Sequence, residues 1–278
     1  NEGTKNLTSL EMANRKEMLG ASIDFANHKD STSISLSALK KNLASSVELW
    51  ADVVQNPGFR EEDFERDRGI ILNRLKQSKI NPQSIAFNVL AQKLYGIDHP
   101  YGLSPSGTEN SIKAMTRKDL TAFIQSWIRP DNAMIFVVGD TSLAEIKPVL
   151  EKHFGKWKAP KTAFGHKTLP VVSDEPQPRF LLVDKPGSPQ ATILAGQLAP
   201  PAGNERFFDI KAMNDILGGN FSARLNMNLR EDKGWAYGAY SGVTANKGQG
   251  LYLFSAPVQI DKTADAILEI HKEINNYK

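Results

Sequence analysis

The sequence contains no cysteine. Disulfides, thiolate metal sites, iron–sulfur clusters and cysteine nucleophiles are therefore excluded, while the redox compartment stays open. No apolar run reaches the roughly 18 residues that a membrane-spanning helix needs. Charge of one sign is also lacking, with 34 Lys+Arg against 31 Asp+Glu. No basic run is interleaved with aromatics, so nucleic acid is a poor partner. G-x-x-x-x-G-K-[ST], G-x-G-x-x-G and G-x-S-x-G are all missing, which removes phosphate loops, dinucleotide turns and serine nucleophile elbows. Histidine is sparse: His28, His99, His153, His166 and His271, the nearest two thirteen positions apart. A helical zinc site needs two imidazoles one turn apart on one face, and this chain has no such pair.

What is present is ordinary globular material. Apolar residues make up 40% and charged residues 23% of the 278 positions, and the mean hydropathy is −0.37. The length fits about two domains. Pro160, Pro170, Pro176 and Pro178 crowd one stretch. Proline fixes φ and removes a donor, so residues 159–178 read as an extended linker between a first lobe, 1–158, and a second, 179–278.

Hydrophobic period assigns the elements. Ser9 to Leu19 is a helix closed by Gly20. Ser22–Ala26 and Ser33–Ser37 alternate as a hairpin with one buried face. Leu43, Val47, Trp50 and Val54 recur at helical spacing up to Asn56-Pro57-Gly58. Helices follow over Glu61–Ile80, from Pro82 to Leu94, from Thr116 to Trp127 and over Leu143–Phe154. Ala133–Val138 is a continuous apolar run and reads as a buried strand. In the second lobe the pattern predicts strands at Phe180–Val183 and Ala191–Leu198, helices at Phe207–Leu217 and Ala223–Glu231, a hairpin of Ala236–Ala245 with Gly250–Ala256, and a last helix from Thr263 to Ile274. Hairpin followed by amphipathic helix occurs in both lobes, and Leu36-Ser37-Ala38 corresponds to Phe254-Ser255-Ala256. On this pattern the first lobe lacks its beginning and the second its end.

The stretch Leu217-Gly218-Gly219-Asn220-Phe221-Ser222-Ala223-Arg224-Leu225 leads into Leu229-Arg230-Glu231-Asp232-Lys233-Gly234-Trp235-Ala236-Tyr237. It resembles the C-terminal-half motif of the pitrilysin/insulinase family of zinc metallopeptidases. Leu19-Gly20-Ala21, Asn56-Pro57-Gly58-Phe59, Phe64-Glu65-Arg66, His99-Pro100-Tyr101-Gly102 and Val137-Val138-Gly139-Asp140 fall in the family's order. The resemblance implies an α+β fold of two related lobes. Each is a mostly antiparallel sheet with helices packed on one face, the module of the mitochondrial-processing-peptidase type. It also implies a zinc-bearing H-x-x-E-H half that closes with this one over a peptide.

The sequence departs from the active pattern. H-x-x-E-H is absent, and the position of the family's ligand glutamate falls on Arg74, whose guanidinium has no lone pair to give a metal. No metal ligand and no catalytic residue is expected in this segment; zinc is expected in the partner half. The resemblance assigns Arg230 and Tyr237 to contact with the substrate near its scissile bond. Spacing alone favours a local ion pair for Arg230 and strand filling for Tyr237, and the surrounding motif turns the reading to substrate binding. The chain thus resembles the zinc-free, substrate-binding half of a metalloendopeptidase, inactive alone. The alternative, suggested by Arg74, is a non-peptidase scaffold built on the same module.

Overall fold

The computed structural model describes residues 2–173 and 179–277. Of the proline-rich stretch, residues 174–178 lie outside the described residues. The chain groups into two compact units: residues 1–72 with 109–167, and residues 73–108 with 168–278.

In the first unit α1 (Ser9–Leu19) starts in a capping box, Thr8 with Glu11, and stops at Gly20, whose φ of 59° is a left-handed conformation that glycine adopts without penalty. Strands β1 (Ser22–Asn27) and β2 (Thr32–Ser37) pair antiparallel with Ile23 opposite Leu36 and Phe25 opposite Ile34. Helix α2 (Leu43–Gln55) buries Val47, Leu49, Val53 and Val54 on one stripe. Met12, Ile23, Leu49 and Val53 form the core of this unit, with Leu36 and Trp50 packed against it. The Trp50 indole donates to the Ile34 carbonyl at 3.1 Å, which fixes the helix on the hairpin. The charged helix α3 (Glu61–Ser78) follows. Further along come α5 (Glu109–Ala114), too short for periodicity to reveal, α6 (Arg117–Trp127) and α7 (Leu143–Phe154), the last two each opened by a capping box.

The second unit takes in α4 (Pro82–Tyr95). Its sheet has the order β3-β5-β4, with β3 (Gln190–Ala199), β4 (Tyr240–Val243) and β5 (Gly250–Gln259) all antiparallel. Helices α8 (Phe207–Leu217) and α10 (Thr263–Asn276) complete it, with the single turn α9 (Arg224–Asn226) between α8 and the sheet. Leu217, Leu225, Leu229, Phe254, Val258 and Ile270 meet in one core. In each unit a hairpin strand is followed by one 3-10 turn and then a helix: β2, Lys40–Asn42 and α2 in the first, β5, Ile260–Lys262 and α10 in the second.

Three expectations are corrected. Ala133–Val138 and Phe180–Val183 form no ladder among the described residues. Met134, Phe136 and Val138 are 76, 81 and 100% exposed, and Phe180 and Leu182 are 77 and 83% exposed. An apolar run becomes a strand only where a neighbouring backbone takes up its N–H and C=O groups. Third, the helix expected from Ala223 to Glu231 is a single α-turn that widens into a π-helix over Met227–Asp232.

Candidate functional site

Arg230 and Tyr237 both lie in the second unit. Helix α8 ends where the Gly218 N–H and the Gly219 N–H both reach the Asn214 carbonyl, at 2.9 and 2.8 Å. Ser241 of β4 comes close on this side: its N–H donates to the Gly218 carbonyl at 2.8 Å and its hydroxyl to Asn214 Oδ1 at 2.6 Å. The chain then turns. Asn220 Oδ1 accepts from the Ser222 N–H at 3.0 Å and the Ser222 hydroxyl at 2.9 Å. Leu225 and Leu229 anchor the following turns at 1 and 0% exposure.

The π-helix sets the direction of Arg230. Lys233 N–H bonds back five residues to the Asn228 carbonyl at 3.0 Å, and Gly234 at φ 65° reverses the chain. Trp235 N–H then returns to the Leu229 carbonyl at 2.9 Å, and Gln259 N–H of β5 donates to the Trp235 carbonyl at 3.0 Å. π-Helical turns are rare and gather at functional sites, because the wider turn re-aims a side chain. Here the reversal brings Tyr237 back over Arg230.

The guanidinium lies 5.2 Å from the centre of the Tyr237 ring and 4.5 Å from that of Phe221. Arg230 Nε meets Glu231 Oε1 at 3.3 Å, with the arginine side chain 29% exposed. Tyr237 is 82% exposed, so it is not strand filling. The local ion pair and the aromatic contact coexist. A delocalised cation beside two π faces is weakly hydrated and keeps its N–H donors. Chemically the cluster offers guanidinium and phenol donors suited to carbonyl or carboxylate oxygens. The sequence did not disclose Phe221, a loop residue whose meeting with Arg230 is spatial.

Arg74 is exposed on α3 and offers no ligand atom. Among the described residues no three His, Cys, Asp or Glu are grouped to hold a metal ion. His99 is engaged otherwise: its Nδ1 accepts from the Tyr101 N–H at 3.0 Å, and its Nε2 lies 3.1 Å from the Pro170 carbonyl. The first unit contains a mostly apolar cavity of about 390 Å³ that includes Phe25, Ile34, Phe64 and Phe123. Its charged members are already engaged, Glu2, Asp63 and Asp67 with Arg66 and Arg68 with Glu65.

The family model described as "Peptidase M16 inactive domain" matches residues 114–278, more than half of the chain, and that described as "Insulinase (Peptidase family M16)" matches residues 1–107. The chain belongs to the M16 peptidase family. Among M16 relatives, the "Uncharacterized zinc protease YmxG" of Bacillus subtilis (strain 168) is 26% identical over 250 residues, covering 90% of this chain and 59% of that protein. The beta subunit of human mitochondrial-processing peptidase is 29% identical over 154 residues, 55% of this chain and 31% of that one. Among solved structures, a peptidase M16 inactive domain from Pseudomonas fluorescens superposes with a TM-score of 0.86 at 24% identity, over 100% of this chain and 66% of that one. A protease from Helicobacter pylori does so at 0.84 and 24%, over 98 and 66%. These superpositions establish the α+β M16 fold. The chain spans about 60% of the length of YmxG and of a Mycobacterium leprae relative named as an uncharacterized zinc protease.

Proposed function

We propose that this chain is the zinc-free, substrate-binding half of an M16 metalloendopeptidase, and that Arg230 and Tyr237 bind the peptide near the scissile bond. The observation that carries the reading is the cluster itself: a cation in contact with two aromatic rings, one of which, Tyr237, is at the surface. A guanidinium and a phenol both donate hydrogen bonds to peptide carbonyls. Each gains strength if negative charge develops on the carbonyl oxygen as the bond is cleaved. The zinc centre belongs to a partner half carrying H-x-x-E-H, on the same polypeptide or on another. YmxG carries the name zinc protease, and mitochondrial-processing peptidase is named by its subunit, which supports an assembly of halves.

Arg74 on the exposed face of α3 favours a second reading, a scaffold that assembles without proteolysis. Reconstitution separates the two. The chain mixed with an H-x-x-E-H-bearing M16 half should restore zinc-dependent cleavage of a fluorogenic peptide, and Arg230→Ala should lower kcat/KM by about tenfold to a hundredfold, the range for losing a charged hydrogen bond. Unchanged turnover in Arg230→Ala removes the role of Arg230. Assembly without any turnover favours the scaffold.

A further inference from the structure

Ordering an arginine side chain costs rotamer entropy, so a free guanidinium at a surface is a poor instrument of recognition. Arg230 is not free in this sense. Rings from two different segments lie against it, Phe221 from the loop after α8 and Tyr237 from the segment before β4, with centres 4.5 and 5.2 Å from the guanidinium carbon. What fixes the separation of those segments is a third residue. Asn226 is fully buried. Its Nδ2 donates to the Phe221 carbonyl at 2.7 Å and its Oδ1 accepts from the Ala239 N–H at 3.1 Å. One side-chain amide thus ties the residue carrying the first ring to the residue two positions beyond the second.

The pairing demands asparagine at this position. A carboxylate would set an oxygen against the Phe221 carbonyl. A leucine of similar size would leave the buried Ala239 N–H without a partner and release the Phe221 carbonyl. The Phe221 side chain itself is 53% exposed, so its ring contributes contact with Arg230 more than core packing. Glu231 meets Arg230 at Nε, and neither Nη group makes a hydrogen bond among the described residues. With two rings against the guanidinium, its Nη groups are the donors left for a ligand's acceptor oxygens.

We infer that Phe221 and Asn226 are positioning residues for Arg230. Phe221 holds the guanidinium plane from one side and Asn226 sets the spacing of the two rings, so that the Nη edge is presented ready-oriented to the backbone oxygens of an extended peptide. The peptide part of this inference rests on the reading of Arg230 given under Proposed function; the positioning part does not.

The test has two arms on the whole 278-residue chain. In ¹⁵N-labelled protein the Arg230 Nε–H resonance, assigned by its disappearance in Arg230→Lys, should be displaced by ring currents from the other arginines. The displacement should diminish in Phe221→Leu and return in Phe221→Tyr, with Tm little changed in either. Asn226→Leu should diminish it too if that variant folds; the Phe221 pair decides the matter if it does not. An Arg230 resonance that lies with the others in the wild type, or that is indifferent to Phe221→Leu, overturns the inference. In the second arm, cleavage reconstituted with an H-x-x-E-H half should lose about threefold to tenfold in kcat/KM in Phe221→Leu and recover in Phe221→Tyr. If the resonance behaves as stated and turnover ignores Arg230→Ala, the positioning stands and the substrate-binding reading fails. If turnover needs Arg230 and ignores Phe221, the reading stands and the inference fails.

Discussion

A Cβ placed on Gly218 would stand 2.3 Å from the Ser241 hydroxyl and 2.8 Å from its backbone nitrogen. This close approach, rather than an unusual φ, is why the end of α8 needs glycine there. The same approach lets the Ser241 N–H donate to the Gly218 carbonyl. Gly218→Ala should cost about 1–3 kcal/mol through overpacking against backbone. Gly242 is the matched control in β4: nothing lies within 4 Å of its added Cβ. Urea unfolding of the two alanine variants checks this, and equal midpoints would refute it.

The first unit predicts its own acid sensitivity. Glu11, Asp119 and Glu145 each accept from the N-cap residue three positions before, and each has a carboxyl pKa held below its ordinary value. For Glu11 the Thr8 N–H is the main cause, for Asp119 the Thr116 hydroxyl, for Glu145 the Ser142 N–H. A depressed folded pKa means stability fully present above the unfolded carboxylate range, about pH 4, and lost as pH falls through the lowered folded values. Glu145→Gln keeps the cap geometry and removes the titration. Stability measured from pH 6 down to about pH 3 should therefore fall less steeply in the variant; an identical slope would count against the account.

His99 joins two distant pieces of the second unit. Its ring stacks on Tyr95 with centroids 5.0 Å apart, while its nitrogens serve Tyr101 and Pro170. A neutral imidazole that donates through Nε2 and accepts through Nδ1 fills both contacts. His99→Ala should cost about 2–4 kcal/mol, from lost packing plus the buried Tyr101 N–H left without its partner. Calorimetry of the variant tests it, and a loss below about 0.5 kcal/mol would place His99 among the ordinary surface residues.

Phe136 offers a converse case. It belongs to the apolar run expected to be a buried strand, and it is 81% exposed. Phe136→Ser should leave unfolding stability within about 0.5 kcal/mol. A loss of several kcal/mol would mean that this run is buried in solution.

These cases show where the sequence was readable. Helix α8 runs from Phe207 to Leu217 as its apolar spacing and Gly218 indicated, because caps and period are local. Strand β3, Gln190–Ala199, covers the expected Ala191–Leu198, whereas its pairing with β5 is a long-range fact that the local pattern does not carry. Ala133–Val138 misled because apolar content states a demand for partners and not their presence. The π-helix at Met227–Asp232 misled because one extra residue per turn leaves no mark on a helical pattern. Of the site, Arg230 and Tyr237 were named from the motif around them. Phe221 and Asn226 were not, since an aromatic in a loop and an asparagine in a helical stretch acquire meaning only when the chain turns back through Gly234.

The central claim is that the chain binds substrate for a zinc centre it does not itself carry. It is tested most directly by cleavage of a fluorogenic peptide by the chain reconstituted with an H-x-x-E-H half, comparing wild type with Arg230→Ala and Tyr237→Phe. The account predicts zinc-dependent turnover that needs both halves and a kcat/KM lowered about tenfold or more in Arg230→Ala, with a smaller loss in Tyr237→Phe. Full turnover in both variants, or cleavage by the catalytic half alone at the same rate, would contradict it.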